Sequence, residues 1–424
     1  MEFSSRKKPI LLWSLANLFF AFQFILRLSA GILREDIIQK FAVDAASFGT
    51  LAGYYYLGYA ITQIPLGIML DRLSFRFVTF FAITTASIGT LTFVTTTNWD
   101  VLLFGRFLIG AGSGVAFLSV AKITKSYFDE KYHSILLGLA FSFGLTGAVF
   151  GSTPMKVFFD QFGYNSTFTV LTITGFIISG MILIFGKIEK NEESHNTVCD
   201  TIKAVFKLIL NPTIILIGIS GGLMVGALEG FADVWAIPFF NQNFRMTITE
   251  STTITSFIYI GMCFGGPILT LAANALRSIN FMIFLTGILT IVVFIILFYL
   301  PPLSFAISCA LMFILGILCC YQVLVFIVVS NQFPLSIALA IAVINCINMS
   351  FGYFFHTAIG STFESSWNGA ITETGSAIYT IDNFVHSLAI IPICCFIGQF
   401  GFVFLAIKVK KNSVPYYSKK RNEL

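Results

Sequence analysis

The stretch GIMLDRLSFR, residues 67–76, decides the fold. It packs Asp71, Arg72 and Arg76 into a short polar break between two apolar runs, 46–70 and 77–96. Each run has the length, roughly 20 predominantly apolar residues, that a helix needs to cross a bilayer. A glycine such as Gly67 near a helix end lets two helices approach closely. An aspartate among arginines at the membrane surface forms charge-assisted hydrogen bonds. Such a cluster holds one helical bundle against another in one conformation and releases it in the next. Gly67, Asp71, Arg72 and Arg76 are therefore candidates for a conformational lock.

Working outward from this loop, apolar runs bounded by polar punctuation predict twelve membrane helices. The first six cover 10–33, 46–70, 77–96, 101–124, 134–155 and 167–186. The second six cover 213–240, 252–276, 279–300, 303–329, 335–359 and 383–407. Composition agrees: 57% of the 424 residues are apolar and 11% charged, against roughly 25% charge in an ordinary soluble domain. A soluble enzyme, a disordered chain and a secreted disulfide scaffold are excluded. The eight Cys lie mostly inside apolar runs without CxxC spacing, so they signal neither a metal site nor a disulfide framework.

The basic residues set the orientation. Alternate loops, the termini and the central segment carry 19 Lys and Arg on one side against 4 on the other. By the positive-inside rule both termini are cytoplasmic and the number of spans is even. The N-terminal basic stretch followed by an apolar run reads as the first membrane helix, because the run exceeds 20 residues and lacks a small-x-small cleavage site. The polar segment 187–212 divides the chain into an N-terminal six-helix bundle (1–186) and a C-terminal one (213–407), followed by a basic cytoplasmic tail (408–424). Two repeated bundles with a site between them are expected of a secondary transporter.

Two further elements bear on the family. The fourth run contains RFLIGAG, with Arg106, Gly110 and Gly112, and Arg106, Gly110 and Gly114 recur every four residues and share one helical face. After the eighth run, GGPILTLAANALRS keeps Gly266, Pro267 and Arg277 as a degenerate echo of the first loop without its aspartate. With these motifs the chain resembles the major facilitator superfamily, whose loop signature reads G-x-L-x-D-R-x-G-R-R. Ser74 and Phe75 replace its usual glycine and arginine, and Pro154 is not placed as in the family's antiporter signature. The resemblance implies an all-α membrane protein of twelve helices in two pseudo-symmetric six-helix bundles. The stretches FQFILRLSAG, YYYLGYAITQIPLG and ALEGFADVWAIPF are similar to bacterial members of the branch that includes a lysosomal dipeptide carrier.

Arg27, Arg106, Glu229 and Asp233 fall within spans. At about 2.5 to 3.5 kcal/mol each at the bilayer centre, they should face the interior and have partners. Arg27 and Glu229 occupy similar depths in the first and seventh helices, which correspond in the repeat. Arg27 and Arg106 are the candidates for binding an anionic group, and Glu229 and Asp233 for carrying a coupling proton. A static network of mutually neutralising charges is the competing reading. Among the tyrosines 54–56, Tyr55 is the candidate substrate contact, with Gln63. Trp235 reads as one of the aromatics of a membrane interface, with closure of a cavity's outer end as the other reading. His356 and His386, isolated in apolar helices, read as packed and hydrogen-bonded rather than as proton relays.

The expected function is secondary active transport of a small polar or anionic organic solute by alternating access, coupled to H+. A dipeptide or amino-acid carrier and a drug efflux antiporter are the alternatives. No G-x-x-x-x-G-K-[ST] loop is present, so no P-loop ATPase drives it. A channel would need a continuous polar face along several helices, and a membrane enzyme a clustered nucleophile and base. Neither pattern is visible. The expectation is a monomer in the bacterial plasma membrane, contacting lipid and solute, with no cofactor, metal or nucleic acid.

Overall fold

The computed structural model describes residues 2–186, 198–334, 336–371 and 378–412. Ten continuous helical stretches among them are long and apolar enough to cross a membrane. One of these, Glu130–Phe185, is 56 residues long, roughly 84 Å at 1.5 Å per residue. It turns at Gly163, whose φ of 79° and ψ of 174° are non-helical, and so makes two passages. Ala45–Arg72 has the length for a further passage, but Ser, Thr, Tyr and Gln side chains dilute its apolar character. Twelve passages result.

In chain order they are α1 (Glu2–Ile32), α2 (Ala45–Arg72), α3 (Phe75–Thr95), α4 (Trp99–Ser113 and Ala116–Tyr127), α5 (Glu130–Phe150, continued by 153–162) and α6 (164–185). The second set is α7 (Pro212–Asn243), α8 (Ile248–Ala275), α9 (Ile279–Tyr299), α10 (Phe305–Cys319 and Tyr321–Gln332), α11 (Ile337–Ser366) and α12 (Ile381–Leu388 and Ile390–Asn412). Short helices run over Arg34–Phe41, after α1, and over Val198–Ile209, before α7. Residues 187–197 of the central segment expected at 187–212, and 413–424 of the tail expected at 408–424, lie outside the described residues. With an even number of passages the start of α1 and the end of α12 lie on one side, called proximal below; the opposite side is distal.

Several helices differ from their apolar runs. The α1 helix starts eight residues before the run and α7 extends three beyond it, because a helix continues into the polar headgroup layer where hydropathy falls. The fourth run is interrupted after Ser113 and the tenth after Cys319. The helices α2, α4, α8, α10 and α12 begin at the distal surface, each with a side-chain cap from Asp44, Asn98, Thr247, Ser304 or Thr380. These caps satisfy backbone N–H groups left open at a helix start.

Glycine contacts show the repeat physically. In the first half, a Cβ on Gly58 would lie 2.2 Å from the Phe107 carbonyl oxygen, and one on Gly110 1.8 Å from that of Tyr55. In the second half, Gly261 meets the Phe313 oxygen at 2.1 Å and Gly316 that of Ile258 at 2.0 Å. Thus α2 packs on α4 as α8 packs on α10, through reciprocal backbone contacts that only glycine permits. Apolar side chains such as Phe81, Phe104, Ile184, Leu271 and Phe404 remain exposed, on surfaces suited to lipid. The protein is an all-α membrane protein of two pseudo-symmetric six-helix bundles.

The halves meet tightly toward the distal side. Gly49 of α2 sits against the His356 carbonyl and Gly360 of α11. Gly31 of α1 sits against the backbone of Asp233 in α7. Thr153 hydrogen-bonds Thr252 and Thr253 of α8 at 3.4 and 3.1 Å. The backbone N–H of Ala45 reaches Glu364 at 3.4 Å. The conformation is closed on the distal side.

Candidate functional site

The polar centre is built on α1 and on an irregular segment of α7. Between Gly226 and Trp235 the α7 backbone widens into a π-helix, a rare form that occurs often at functional sites. Gly226 and Gly230 let it lie directly on the Phe355 ring of α11. From this segment Glu229 and Asp233, four residues apart, both reach Arg27 of α1. The Arg27 Nη2 donates to Glu229 Oε2 at 2.6 Å and its Nε to Asp233 Oδ2 at 2.7 Å. All three are buried, so the pair of ion pairs crosses between halves in a water-poor setting. Charge-assisted bonds are strong there, and any unpaired member is costly.

Tyrosines complete the cage. The hydroxyls of Tyr56 on α2 and Tyr259 on α8 both donate to Asp233, the second at 2.9 Å. Tyr259 stands in α8 where Tyr56 stands in α2, at the same interval that separates Gly261 from Gly58. The repeat therefore brings two equivalent hydroxyls onto one carboxylate. The Arg27 guanidinium lies 5.1 Å from the centre of the Tyr56 ring, a cation–π distance. Tyr55 donates to Gln23 Oε1 on α1 at 2.6 Å.

Arg106 of α4 grips α1 itself. Its Nη1 and Nη2 donate to the carbonyls of Leu26 and Arg27 at 2.8 and 2.6 Å, and its guanidinium lies 5.0 Å over the Tyr55 ring. Arg106, Gly110 and Gly114 all face α2. The four charges of the centre balance when both carboxylates are ionised, and Arg106 fixes the stretch of α1 from which Arg27 projects.

Arg27, Arg106, Tyr55, Glu229 and Asp233 are thus gathered in one cluster. Gln63 stands apart, nearer the proximal side, where its Oε1 accepts from Asn345 Nδ2 at 3.0 Å and Cys346 Sγ at 3.4 Å on α11. At the proximal surface, Gly67 faces Leu118, and Asp71 lies 3.8 Å from Lys122 of α4 within its own half. Arg72 donates to Thr201 of the Val198–Ile209 helix at 3.2 Å, and Arg76 lies 4.7 Å over Phe77. Tyr56, Tyr259 and Gln23 were not singled out in the sequence. Tyr56 stands in the quoted tyrosine run, and Tyr259 follows from it through the repeat.

Two expectations are corrected. Trp235 is no interfacial aromatic. It is fully buried, stacked on Phe363 at 4.6 Å, with the guanidinium of Arg34 5.1 Å over it. It closes the distal end because the widened α7 turns it toward α11. His356 is packed but not hydrogen-bonded, since both ring nitrogens lack a partner. Among the described residues no group of three or more His, Cys, Asp or Glu is arranged to hold a metal ion.

Comparison with known proteins fits this architecture. The family model described as Major Facilitator Superfamily matches residues 13–357. The probable anion transporter 4 of the rice chloroplast (Oryza sativa subsp. japonica) is 28% identical over 162 residues, 37% of this chain and 27% of that protein. The probable galactarate/D-glucarate transporter GudP of Bacillus subtilis is 25% identical over 162 residues, 36% and 35% of the two chains. The chain thus spans about a third of the length of the curated relatives it matches. Among solved structures, a bacterial homologue of the human lysosomal transporter Spinster, inward-facing and unoccupied, has a TM-score of 0.71 at 15% identity, covering 93% of this chain and 98% of that one. With twelve passages, a repeat visible in its glycine contacts and a family match along most of its length, this chain belongs to the Major Facilitator Superfamily.

Proposed function

We propose that this secondary transporter carries a small organic anion together with protons, by alternating access. The observation that carries this reading is the position of Arg27. It is a cation of one half held by two carboxylates of the other, on the side where the halves are closed. Opening that side separates Arg27 from Glu229 and Asp233, and each must then find another partner in a poorly solvated place. An incoming carboxylate takes up the guanidinium, and a proton neutralises the carboxylate that loses it. Solute and proton then enter together and the charges remain balanced. The names of two relatives, an anion transporter and a galactarate/D-glucarate transporter, support an anionic solute.

In this reading the units 1–186 and 213–407 rock about the charge cluster, and the chain works as a monomer. The loop motif with Asp71 and Arg72 stabilises the opposite, proximal closure. The 19-to-4 distribution of basic residues supports a plasma-membrane protein with both termini cytoplasmic, so the distal side faces outward. Uptake of radiolabelled mono- and dicarboxylates into proteoliposomes, with and without an inward proton gradient, tests the proposal. Uptake should saturate, show counterflow and rise with the gradient. Uptake indifferent to the gradient would remove the coupling, and selective uptake of neutral solutes would remove the anion.

A further inference from the structure

His356 is completely buried in α11, and neither of its ring nitrogens meets a hydrogen-bond partner. It lies in the seam between halves. Its own backbone carbonyl is pressed against Gly49, and its ring lies 5.2 Å from that of Tyr56 at an interplanar angle of 37°. The charges acting on the ring are Asp233 from α7, Arg106 from α4 and Arg27 from α1, with Glu229 one turn from Asp233. From α12 the buried Phe384 and Leu388 are apolar and His386 is exposed, while on α11 itself Glu364 stands about two turns away and receives the Ala45 N–H. Both nearby carboxylates are already engaged by Arg27.

A protonated ring has two N–H donors, and this seam offers them no acceptor beside two guanidinium groups. The closed seam therefore admits only the neutral ring. Once the distal side opens, water reaches the ring and it binds a proton as an ordinary histidine does, near pH 6.5.

We propose that His356 is a second proton site, vacant while the distal side is closed and filled when it opens, so that protons on that side hold the distal-open state. This rests on the alternating-access reading but not on proton coupling through Glu229 and Asp233. A ligand that binds only one of two states shifts the equilibrium toward it. For a ring titrating near 6.5, the open-to-closed ratio rises about tenfold between pH 7.5 and pH 5.5. The site communicates only with the distal side, so its proton returns there on closure. It loads the carrier without adding to the protons that cross.

Trp235, buried at the same closure, is the reporter. In a chain with Trp13, Trp99 and Trp367 replaced by Phe, reconstituted in nanodiscs, acrylamide quenching of Trp235 should increase from pH 7.5 to pH 5.5. His356→Gln and His356→Phe, each passed for monodispersity, should show a rise several-fold smaller, the remainder being the response of Glu229 and Asp233 as they part from Arg27. A flat response in the His356-containing chain overturns the proposal without recourse to any His356 variant, and so does a response undiminished in both variants. Uptake that ignored an imposed proton gradient would instead overturn the coupling reading and leave this measurement standing.

Discussion

Gly31 in α1 stands so close to Asp233 in α7 that a Cβ on the glycine would lie 2.1 Å from the Asp233 carbonyl oxygen. The contact joins the two halves one turn from the Arg27 ion pairs, so distal closure depends on the missing side chain. Gly31→Ala should leave each bundle intact but hold the halves apart at this end. Quenching of Trp235 should rise and uptake should fall at least tenfold, with thermal stability little changed. Gly110→Ala makes a contrasting control. Its Cβ would meet the Tyr55 oxygen inside one bundle, at 1.8 Å, and should lower stability itself. Unaltered uptake in Gly31→Ala would mean that closure tolerates a wider seam.

Removing Arg27 leaves two buried carboxylates without a cation. Breaking a buried ion pair by deleting one partner costs about 3–5 kcal/mol, and the tyrosine hydroxyls on Asp233 offset only part of this. Arg27→Gln should therefore abolish uptake and lower the thermal midpoint. Adding Glu229→Gln and Asp233→Asn to Arg27→Gln should restore much of the stability, because no charge is then left unpaired, while uptake stays absent. Recovery of uptake in that triple variant would show that the charges serve folding alone.

The short distal helix Arg34–Phe41 supplies a pH dependence with a definite sign. Asp36 is half-buried there, and desolvation pushes its carboxyl up from the ordinary 3.8, with Lys156 opposing. The folded state thus binds this proton more readily than the unfolded one. Ionised Asp36 weakens the fold at neutral pH, and the loss is recovered as pH falls through the raised value. Asp36→Asn should raise the thermal midpoint slightly at pH 7, by a screened and therefore small amount, and have no effect near pH 3.5. Differential scanning fluorimetry at the two pH values checks the sign.

Twelve passages, their pairing by repeat and the pooling of Arg27, Arg106, Glu229 and Asp233 were legible in the sequence, because hydropathy, glycine spacing and the cost of an intramembrane charge are local properties. The partners were not. That Arg106 would hold carbonyls of α1 rather than a carboxylate depends on the approach of α4 to α1, which no spacing within α4 encodes. The burial of Trp235 depends on the π-helical turn of α7, and a widened turn leaves no mark in the 3.6-residue pattern of apolar positions. Gln63, named beside Tyr55 as a candidate solute contact, has Asn345 as its partner, because α2 and α11 run side by side toward the proximal side as well.

Arg106 separates a positioning role from a charge role. Its two terminal nitrogens hold adjacent carbonyls of α1, a forked geometry that a lysine ammonium cannot reproduce. A lysine keeps the charge and its field on the site but has one nitrogen to offer. If Arg106 acts by charge, Arg106→Lys should retain most uptake. The carbonyl bonds favour the other outcome: α1 loses its hold, Arg27 shifts against Glu229 and Asp233, and uptake falls tenfold or more. Because Arg27 aligns the solute in this reading, the apparent affinity should weaken along with the maximal rate. Arg106→Lys and Arg106→Gln should then be similarly impaired, whereas substantial activity in Arg106→Lys alone would assign Arg106 to direct attraction of the anion.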